Sequence, residues 1–485
     1  MAEAALLSRM VPADTSRGHV CVADPYSALL TRAHERALSF LDSLPERAVS
    51  PRVAFRDLVR ELDGPVPDGP VDPLEALEAL ATRIEPGLVA SPGPRYFGFV
   101  TGGAYPQALA ADWLVSAWDQ NCALYVMSPA MAALEACTAR WILELLGLPP
   151  ESSVGFVTGA HAANVTALAS ARHEVLRRAQ WDVEALGLQG APQVTIIAGE
   201  EAHASIAAAC RLIGLGSRTI LRVATDSHGR MRPNALEWAL TASAGPTIVC
   251  AQAGNVNTGA CDPLTEIAEL VHERGAWLHV DGAFGLWAAA APRYRHLVAG
   301  VAAADSWTTD GHKWLNVPYD SGIVMVRHPA AHRASMSQSA AYLIPGEGDQ
   351  RDGSDWALEA SRRARVVPLH LVLRTLGRSG IADVVERCCR LAKRMAERLR
   401  ATPGVQLLND VVLNQVLVRF INRAGENVTA AVTAAVQDGG VCWCGGTQWA
   451  GESAMRVSIS NWQTTDSDID GSADAIASAI SSVCE

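Results

Sequence analysis

Two runs decide how this chain folds: AWLHVDGAFG at 276–285 and ADSWTTDGHKWLNVPYDSG at 304–322. The first is a short β-prone segment that stops at a carboxylate, Asp281. The helix-patterned stretch PLTEIAELVHERG (263–275) precedes it. Together they make one helix–strand unit. Further out, SVGFVTG (153–159), VTIIAG (194–199), TILRVAT (219–225) and TIVCAQA (247–253) repeat the pattern. Helical stretches separate them at 162–181, 205–213 and 233–240, and another precedes them at 130–146. Short β-rich runs alternating with helices predict an α/β fold with a mostly parallel central sheet flanked by helices. In such sheets ligands sit beyond the carboxyl ends of the strands, so the residues just after each run are the ones to read for chemistry.

After SGIVMVR (321–327) the alternation stops. A polar, Gly-containing stretch covers 335–354, and helices are predicted at 358–376 and 381–401. The last eighty or so residues read as a small α+β domain, with strands in VLVRF (416–420) and MRVSIS (455–460) and a final helix at 466–483. The first ninety or so hold helical patterns, at 25–44 and 72–84, broken by DGPVPDGP. Three segments are therefore expected: an N-terminal helical segment (1–100), a large α/β domain (101–376) and a small C-terminal α+β domain (377–485).

Composition narrows the function. Of 485 residues 49% are hydrophobic and 19% charged, which is a globular balance. A net charge of −11 argues against nucleic acid as the main partner. No apolar run is long enough to span a bilayer, and the N-terminus does not read as a signal peptide, so the cytoplasm is the expected compartment. The 11 cysteines lack disulfide or zinc-finger spacing, and no metal is expected. Lysine is the informative residue. Lys and Arg total 40, yet the chain has only Lys313 and Lys393. A Schiff base to a side chain has just these two candidates. Lys393 sits in an Arg-rich amphipathic helix, whereas Lys313 lies between His312 and Trp314, where desolvation favours the neutral, nucleophilic amine.

Other strand ends hold ambiguous groups. Asp281 is either a turn carboxylate or one that keeps a cofactor's ring nitrogen protonated. His203, after VTIIAGEEA, is either a capping residue or an imidazole stacked on a planar cofactor. VGFVTGAHAAN (154–164) runs from a strand into a helix through small residues, which suits a phosphate at a helix N-terminus. It is neither a Walker sequence nor a GxGxxG fingerprint, which disfavours nucleoside triphosphates and dinucleotides.

Taken jointly, these residues resemble fold type I pyridoxal-phosphate enzymes, and within them the group II amino-acid decarboxylases, which include the aromatic-L-amino-acid and glutamate decarboxylases. The resemblance runs from SPGPRYFGF at 91 to MRVSISN ending at 461, and HVDGAFG and DSWTTDGHKW carry it most strongly. It implies pyridoxal 5'-phosphate held by Lys313. It places Asp281 against the ring nitrogen, with His203 and Ala283 on the two ring faces. Gly159, Ala160, His161 and Ser306 would bind the phosphate, with His312 close by. Tyr342, which stands 342 − 313 = 29 positions after Lys313, matches a mobile-loop tyrosine that protonates the carbanion in the neighbouring subunit's site. Arg456 matches an arginine used for a substrate carboxylate.

Tyr96, Phe97 and Phe99 fall where related enzymes line the substrate pocket, Asn121 and Tyr125 add polar options, and Trp443 is placed to close it. The expected activity is decarboxylation of an aromatic or hydrophobic L-amino acid to the amine and CO2. Transamination, or decarboxylation coupled to oxidative deamination giving an aldehyde, would use the same Lys313 and Asp281. A degenerate, non-enzymatic homologue is disfavoured by the joint presence of Lys313, Asp281, His203 and Tyr342. The resemblance implies a homodimer with shared active sites, since that family builds its site from two chains, and the N-terminal segment's lack of a core of its own points the same way.

Overall fold

The computed structural model describes residue 24, residues 26–338, residue 340 and residues 343–484. Tyr342 and the first 23 residues lie outside them. The chain divides into two compact units. One comprises residues 1–47 and 51–88. The other comprises 48–50 and 89–485.

The larger unit is built on a seven-stranded sheet: β1 (Ser153–Val157), β2 (Thr195–Gly199), β3 (Leu221–Val223), β4 (Thr247–Gln252), β5 (Trp277–Asp281), β6 (Ser306–Asp310) and β7 (Gly322–Val326). The order across the sheet is β1-β7-β6-β5-β4-β2-β3. β7 is antiparallel to both of its neighbours, and the other pairs are parallel. The expected mostly parallel sheet is what forms. Its central strands are buried along their whole length, which is why they read as short continuous runs and not as an alternation with solvent-facing residues. The helix Ala160–Arg178 crosses one face and packs on β5, β6 and β7.

A second, antiparallel sheet has the order β10-β11-β9-β8, with β8 (Val405–Leu407), β9 (Gln415–Phe420), β10 (Gly445–Trp449) and β11 (Glu452–Ser458). The sequence boundary expected at 376/377 falls inside one long helix, Val366–Arg400, but Gly377 breaks it with φ 60° and ψ −174°. The first half begins eight residues later than the periodicity suggested. The second half runs in register with the helix Asp466–Cys484. Arg390 pairs with Asp466 at 2.6 Å, Arg394 with Asp470 at 2.5 Å and Arg398 with Asp474, so both helices point the same way. These side chains are largely exposed, and the ladder sets register more than it adds stability.

The smaller unit holds the helices Ser27–Ser43, Phe55–Leu62 and Pro73–Ile84. Asp72 caps the third by accepting from Leu74 and Glu75 N–H groups, each at 2.9 Å. None of the three helices buries a residue within this chain.

Candidate active site

The carboxyl edge of the seven-stranded sheet opens into a cavity of about 280 Å³. Gly159, Ala160 and His161 follow β1, His203 follows β2, Asp281 ends β5, and Asp310, His312 and Lys313 follow along β6; all of them line it, with Ala283. With Gln252 and Gly254 at the end of β4, five separate strand–loop junctions converge on one space, as an open α/β sheet requires.

Lys313 reaches into the cavity and its Nζ lies 3.0 Å from Asp310 Oδ2. Asp310 is buried, and its other oxygen accepts the Ala160 N–H at 2.6 Å. One carboxylate therefore ties the lysine to the N-terminus of the 160–178 helix. Gly159 at its N-cap offers no side-chain cap, and Asp310 takes only the Ala160 N–H. The other first-turn N–H groups have no partner inside the helix, which leaves them to an anion. A side chain at Gly159 would press on His312, since an added Cβ would sit 3.2 Å from its Cε1.

The Lys313 loop is locked from behind by Asn316. Fully buried at φ 51°, Asn316 accepts from Gly103 N–H at 2.6 Å and Trp462 N–H at 3.0 Å. It donates to the carbonyls of Trp314 at 2.9 Å and Ser460 at 3.0 Å. Asn316→Ala should cost about 2–4 kcal/mol, since it leaves several buried backbone groups unpaired and puts alanine in a left-handed conformation. Denaturant unfolding of the two proteins measures it.

Asp281 is held on three sides. Oδ1 accepts from Ala283 N–H at 3.1 Å and Oδ2 from Asn164 Nδ2 at 3.1 Å, with the Ser205 hydroxyl oxygen 3.4 Å from Oδ2. His203 both caps and lines: its Nδ1 accepts the Ser205 N–H at 3.2 Å at the start of the helix Ala204–Leu212, while its ring faces the cavity. The capping alternative for His203 is realised, and its position on the cavity wall leaves the ring free to face a ligand. Burial pushes its imidazolium below the ordinary value, against the opposing pull of Asp281. His312 is pushed down by burial too; its Nδ1 accepts from Ser321 N–H at 3.2 Å and its ring stacks on Tyr319 at 4.4 Å.

Several expected residues lie elsewhere. Ser306 is fully buried and does not reach the cavity; its hydroxyl is taken by Trp277 Nε1 and His279 Nδ1, each at 2.9 Å, so it cannot bind a phosphate. Phe97 is packed in the core, with its backbone joined to Trp443 and Ser458. Tyr96 stacks on Trp443 at 5.1 Å, and Phe99, 64% exposed, leans on the same indole at 5.3 Å. None of these aromatics lines the cavity within one chain. Gly98 makes room for the stack: an added Cβ would come within 2.3 Å of the indole. The Asn121 side-chain oxygen serves structure, accepting from Ala123 and Arg362 N–H groups at 3.1 Å each.

Arg456, on β11, donates to the Val256 carbonyl at 3.0 Å, and Val256 is at the cavity wall. Burial pushes its guanidinium down to about 10, and among the described residues no carboxylate pairs with it. Asp310, Asn164 and His279 escaped the sequence reading. The signal for Asp310 and His279 was present as alternation: W-H-D along β5 and S-T-D along β6 put polar groups on one face of two buried strands.

The donor set fits pyridoxal phosphate: one amine for an aldehyde, one carboxylate for a ring nitrogen, a ring and a methyl for two faces, and a helix N-terminus for a phosphate. Known proteins agree. The sequence model of the pyridoxal-dependent decarboxylase conserved domain matches residues 56–421. An aromatic-L-amino-acid decarboxylase of Bacillus atrophaeus is 26% identical over 397 residues, covering 80% of each chain. A phenylacetaldehyde synthase of Arabidopsis thaliana is 24% identical over 413 residues, covering 81% of this chain and 83% of its own. Among solved structures, Oryza sativa TDC with PLP and tryptamine superimposes with a TM-score of 0.88 at 22% identity, over 97% of this chain and 100% of that one.

Proposed function

The chain belongs to the pyridoxal-dependent decarboxylase family and is a pyridoxal-phosphate-dependent amino-acid decarboxylase; from that premise we propose that its substrate is an aromatic or hydrophobic L-amino acid, released as the amine and CO2. The observation that carries the site assignment is the convergence of Lys313, Asp281 and His203 with a helix N-terminus on one cavity. When bound, pyridoxal phosphate supplies the electron sink for the charge left on Cα when the carboxylate departs.

The protein's residues do the rest. Lys313 would hold the cofactor through its amine. Asp281 would keep a proton on the ring nitrogen, His203 and Ala283 would confine the ring, and the first turn of the 160–178 helix, with Gly159, Ala160 and His161, would take the phosphate. Arg456 is suited to the substrate carboxylate. A carboxylate that leaves as CO2 loses its charge, so pairing with Arg456 orients and binds the substrate more than it lowers the barrier. The preference for an aromatic or apolar side chain draws support from the names of the Bacillus atrophaeus and Arabidopsis thaliana relatives.

A homodimer follows from the same reading. The helices of the smaller unit expose Leu30, Leu38, Phe55, Val59, Leu62 and Leu80, more apolar surface than a soluble helical segment leaves uncovered. A second copy is the partner we propose. Sedimentation that finds an active monomer would sink it. No described helix is long and apolar enough to cross a membrane, and the cytoplasm is the proposed compartment.

The decisive experiment incubates the loaded enzyme with a pool of L-amino acids and follows products by mass spectrometry. One aromatic or hydrophobic amino acid should disappear as its amine forms with CO2. An aldehyde with ammonia and peroxide would instead place the chain with the aldehyde synthases. Tyr342 is the proposed proton donor to Cα, and Tyr342→Phe should slow amine release by about 10²-fold or more and raise the aldehyde share. An unchanged product ratio removes the tyrosine from the mechanism.

A further inference from the structure

Asp281 does not stand alone at the end of its strand. Trp277, His279 and Asp281 alternate along β5 and share one face, as do Ser306, Thr308 and Asp310 along β6. The parallel register sets His279 beside Ser306 and Asp281 beside Thr308. The 160–178 helix covers that face and inserts Asn164, which is fully buried. Its amide uses every position it has. Nδ2 donates to Asp281 Oδ2 at 3.1 Å and to Ser205 Oγ at 3.0 Å. Oδ1 accepts from Thr308 Oγ1 and from His279 Nε2, both at 2.9 Å. Beyond His279 the path continues through Ser306 Oγ to Trp277 Nε1, each step 2.9 Å.

The direction of this path is fixed from both ends. A carboxylate only accepts, so Asn164 turns its NH2 toward Asp281 and its oxygen toward His279. His279 Nε2 must then carry a hydrogen. Burial holds the imidazolium of His279 well below its ordinary value, so the ring is neutral near pH 7 and Nδ1 is a bare acceptor. Ser306 accordingly donates to Nδ1 and accepts from the indole N–H, which can only donate. Both ends give one polarity: Trp277 to Ser306 to His279 to Asn164 to Asp281. Bonds aligned head to tail polarise one another, and every dipole here presents its positive end to the same carboxylate oxygen. A branch leaves Asn164 through Ser205, whose hydroxyl is 2.8 Å from His203 Nδ1.

We infer that Asn164 and His279 are positioning residues which stabilise negative charge on Asp281, thereby hold a proton on the cofactor's ring nitrogen, and through Ser205 fix the His203 ring against the cofactor face. The inference rests on the reading that Asp281 faces that nitrogen.

The test uses the full chain loaded with pyridoxal phosphate carrying ¹⁵N in the ring. It measures the nitrogen's chemical shift and, separately, Kd for pyridoxal phosphate and for its 1-deaza analogue, which has no ring nitrogen. The native enzyme should show a protonated nitrogen, and Asp281→Asn should remove that signature. If Asp281→Asn leaves the shift untouched, the placement of Asp281 fails and takes the inference with it. His279→Leu should move the shift toward the unprotonated value and weaken pyridoxal phosphate binding by about tenfold, equivalent to one pKa unit. Binding of the deaza analogue should stay the same. His279→Gln, whose amide nitrogen can reach the Nε2 position, should recover most of the loss. Should the leucine variant not fold, Thr308→Val, which removes the other donor to Asn164 Oδ1, is read the same way with a smaller shift. Retention of the protonated shift in His279→Leu, or equal loss of both ligands, overturns the inference while leaving the role of Asp281 intact.

Discussion

Lys313→Arg should abolish covalent attachment of the cofactor and lower kcat by at least about a thousandfold, the scale expected when one member of a catalytic unit is removed. Arginine keeps the positive charge beside Asp310, so the existing ion pair at 3.0 Å can persist in altered form. What is lost is chemistry: a guanidinium stays protonated and does not attack an aldehyde. The control is built into the composition, since Lys393 is the only other lysine in the chain. Its Nζ lies over the Tyr294 ring, 5.7 Å from the centroid, on an exposed position of the long helix. Lys393→Arg should leave activity and attachment at native levels. Borohydride reduction followed by peptide mapping reads the result directly. A cofactor adduct on the Lys313 peptide is expected, and an adduct on the Lys393 peptide would overturn the site.

Glu135→Ala should destabilise the larger unit by about 3–5 kcal/mol, the cost of stranding buried charge by removing its partner. Glu135 is buried on the helix Pro129–Leu146 and binds two guanidinium groups, Arg362 Nη2 and Arg351 Nε, both at 3.0 Å. Those arginines also hold carbonyls of β1 and its approach. Arg362 donates to Cys122 O at 2.7 Å and Phe156 O at 2.9 Å, and Arg351 donates to Val154 O. Gly353 is needed for this fit, because a Cβ there would strike Arg362 Nη1. Denaturant unfolding should show a lower midpoint with an unchanged slope. Replacing all three by apolar residues of similar volume should recover much of the loss, which separates stranded charge from lost volume. The clamp also holds down the chain that follows the stretch bearing Tyr342. Asp352 accepts from Tyr125 N–H and Gly346 N–H, both at 2.7 Å, and Ser337 Oγ donates to Asp355 at 2.7 Å. A loosened clamp should therefore lower kcat even where the protein remains folded.

Reading the strands was straightforward because buried parallel strands are short, apolar and punctuated by glycine or proline. β1, β2, β4 and β5 all form within the runs that predicted them. The helical boundary near residue 377 was legible as a glycine, and the structure adds that one helix continues in a new direction beyond it. Placing polar side chains was harder. The family resemblance implied Ser306 as a phosphate ligand, yet it lies at the start of β6, four residues before the strand's carboxyl end. Its alternation with Thr308 and Asp310 pointed it at the 160–178 helix instead. Tyr96, Phe97 and Phe99 look equivalent in sequence, but the backbone sends Phe97 into the core and leaves Phe99 exposed with φ 54°.

What the sequence determined by itself was the chemistry available. Two lysines in 485 residues restrict any Schiff base to Lys313 or Lys393, and local context chooses between them. Reactivity of that kind belongs to residue type and immediate neighbours, which a linear string records. Tertiary structure alone decided which groups act on one another. Asn164 meets Asp281 across 117 positions and His279 across 115. Glu135 meets its arginines across 216 and 227. These pairings arise because burying apolar faces brings distant segments together, and every polar group carried inside must then find a hydrogen-bond partner.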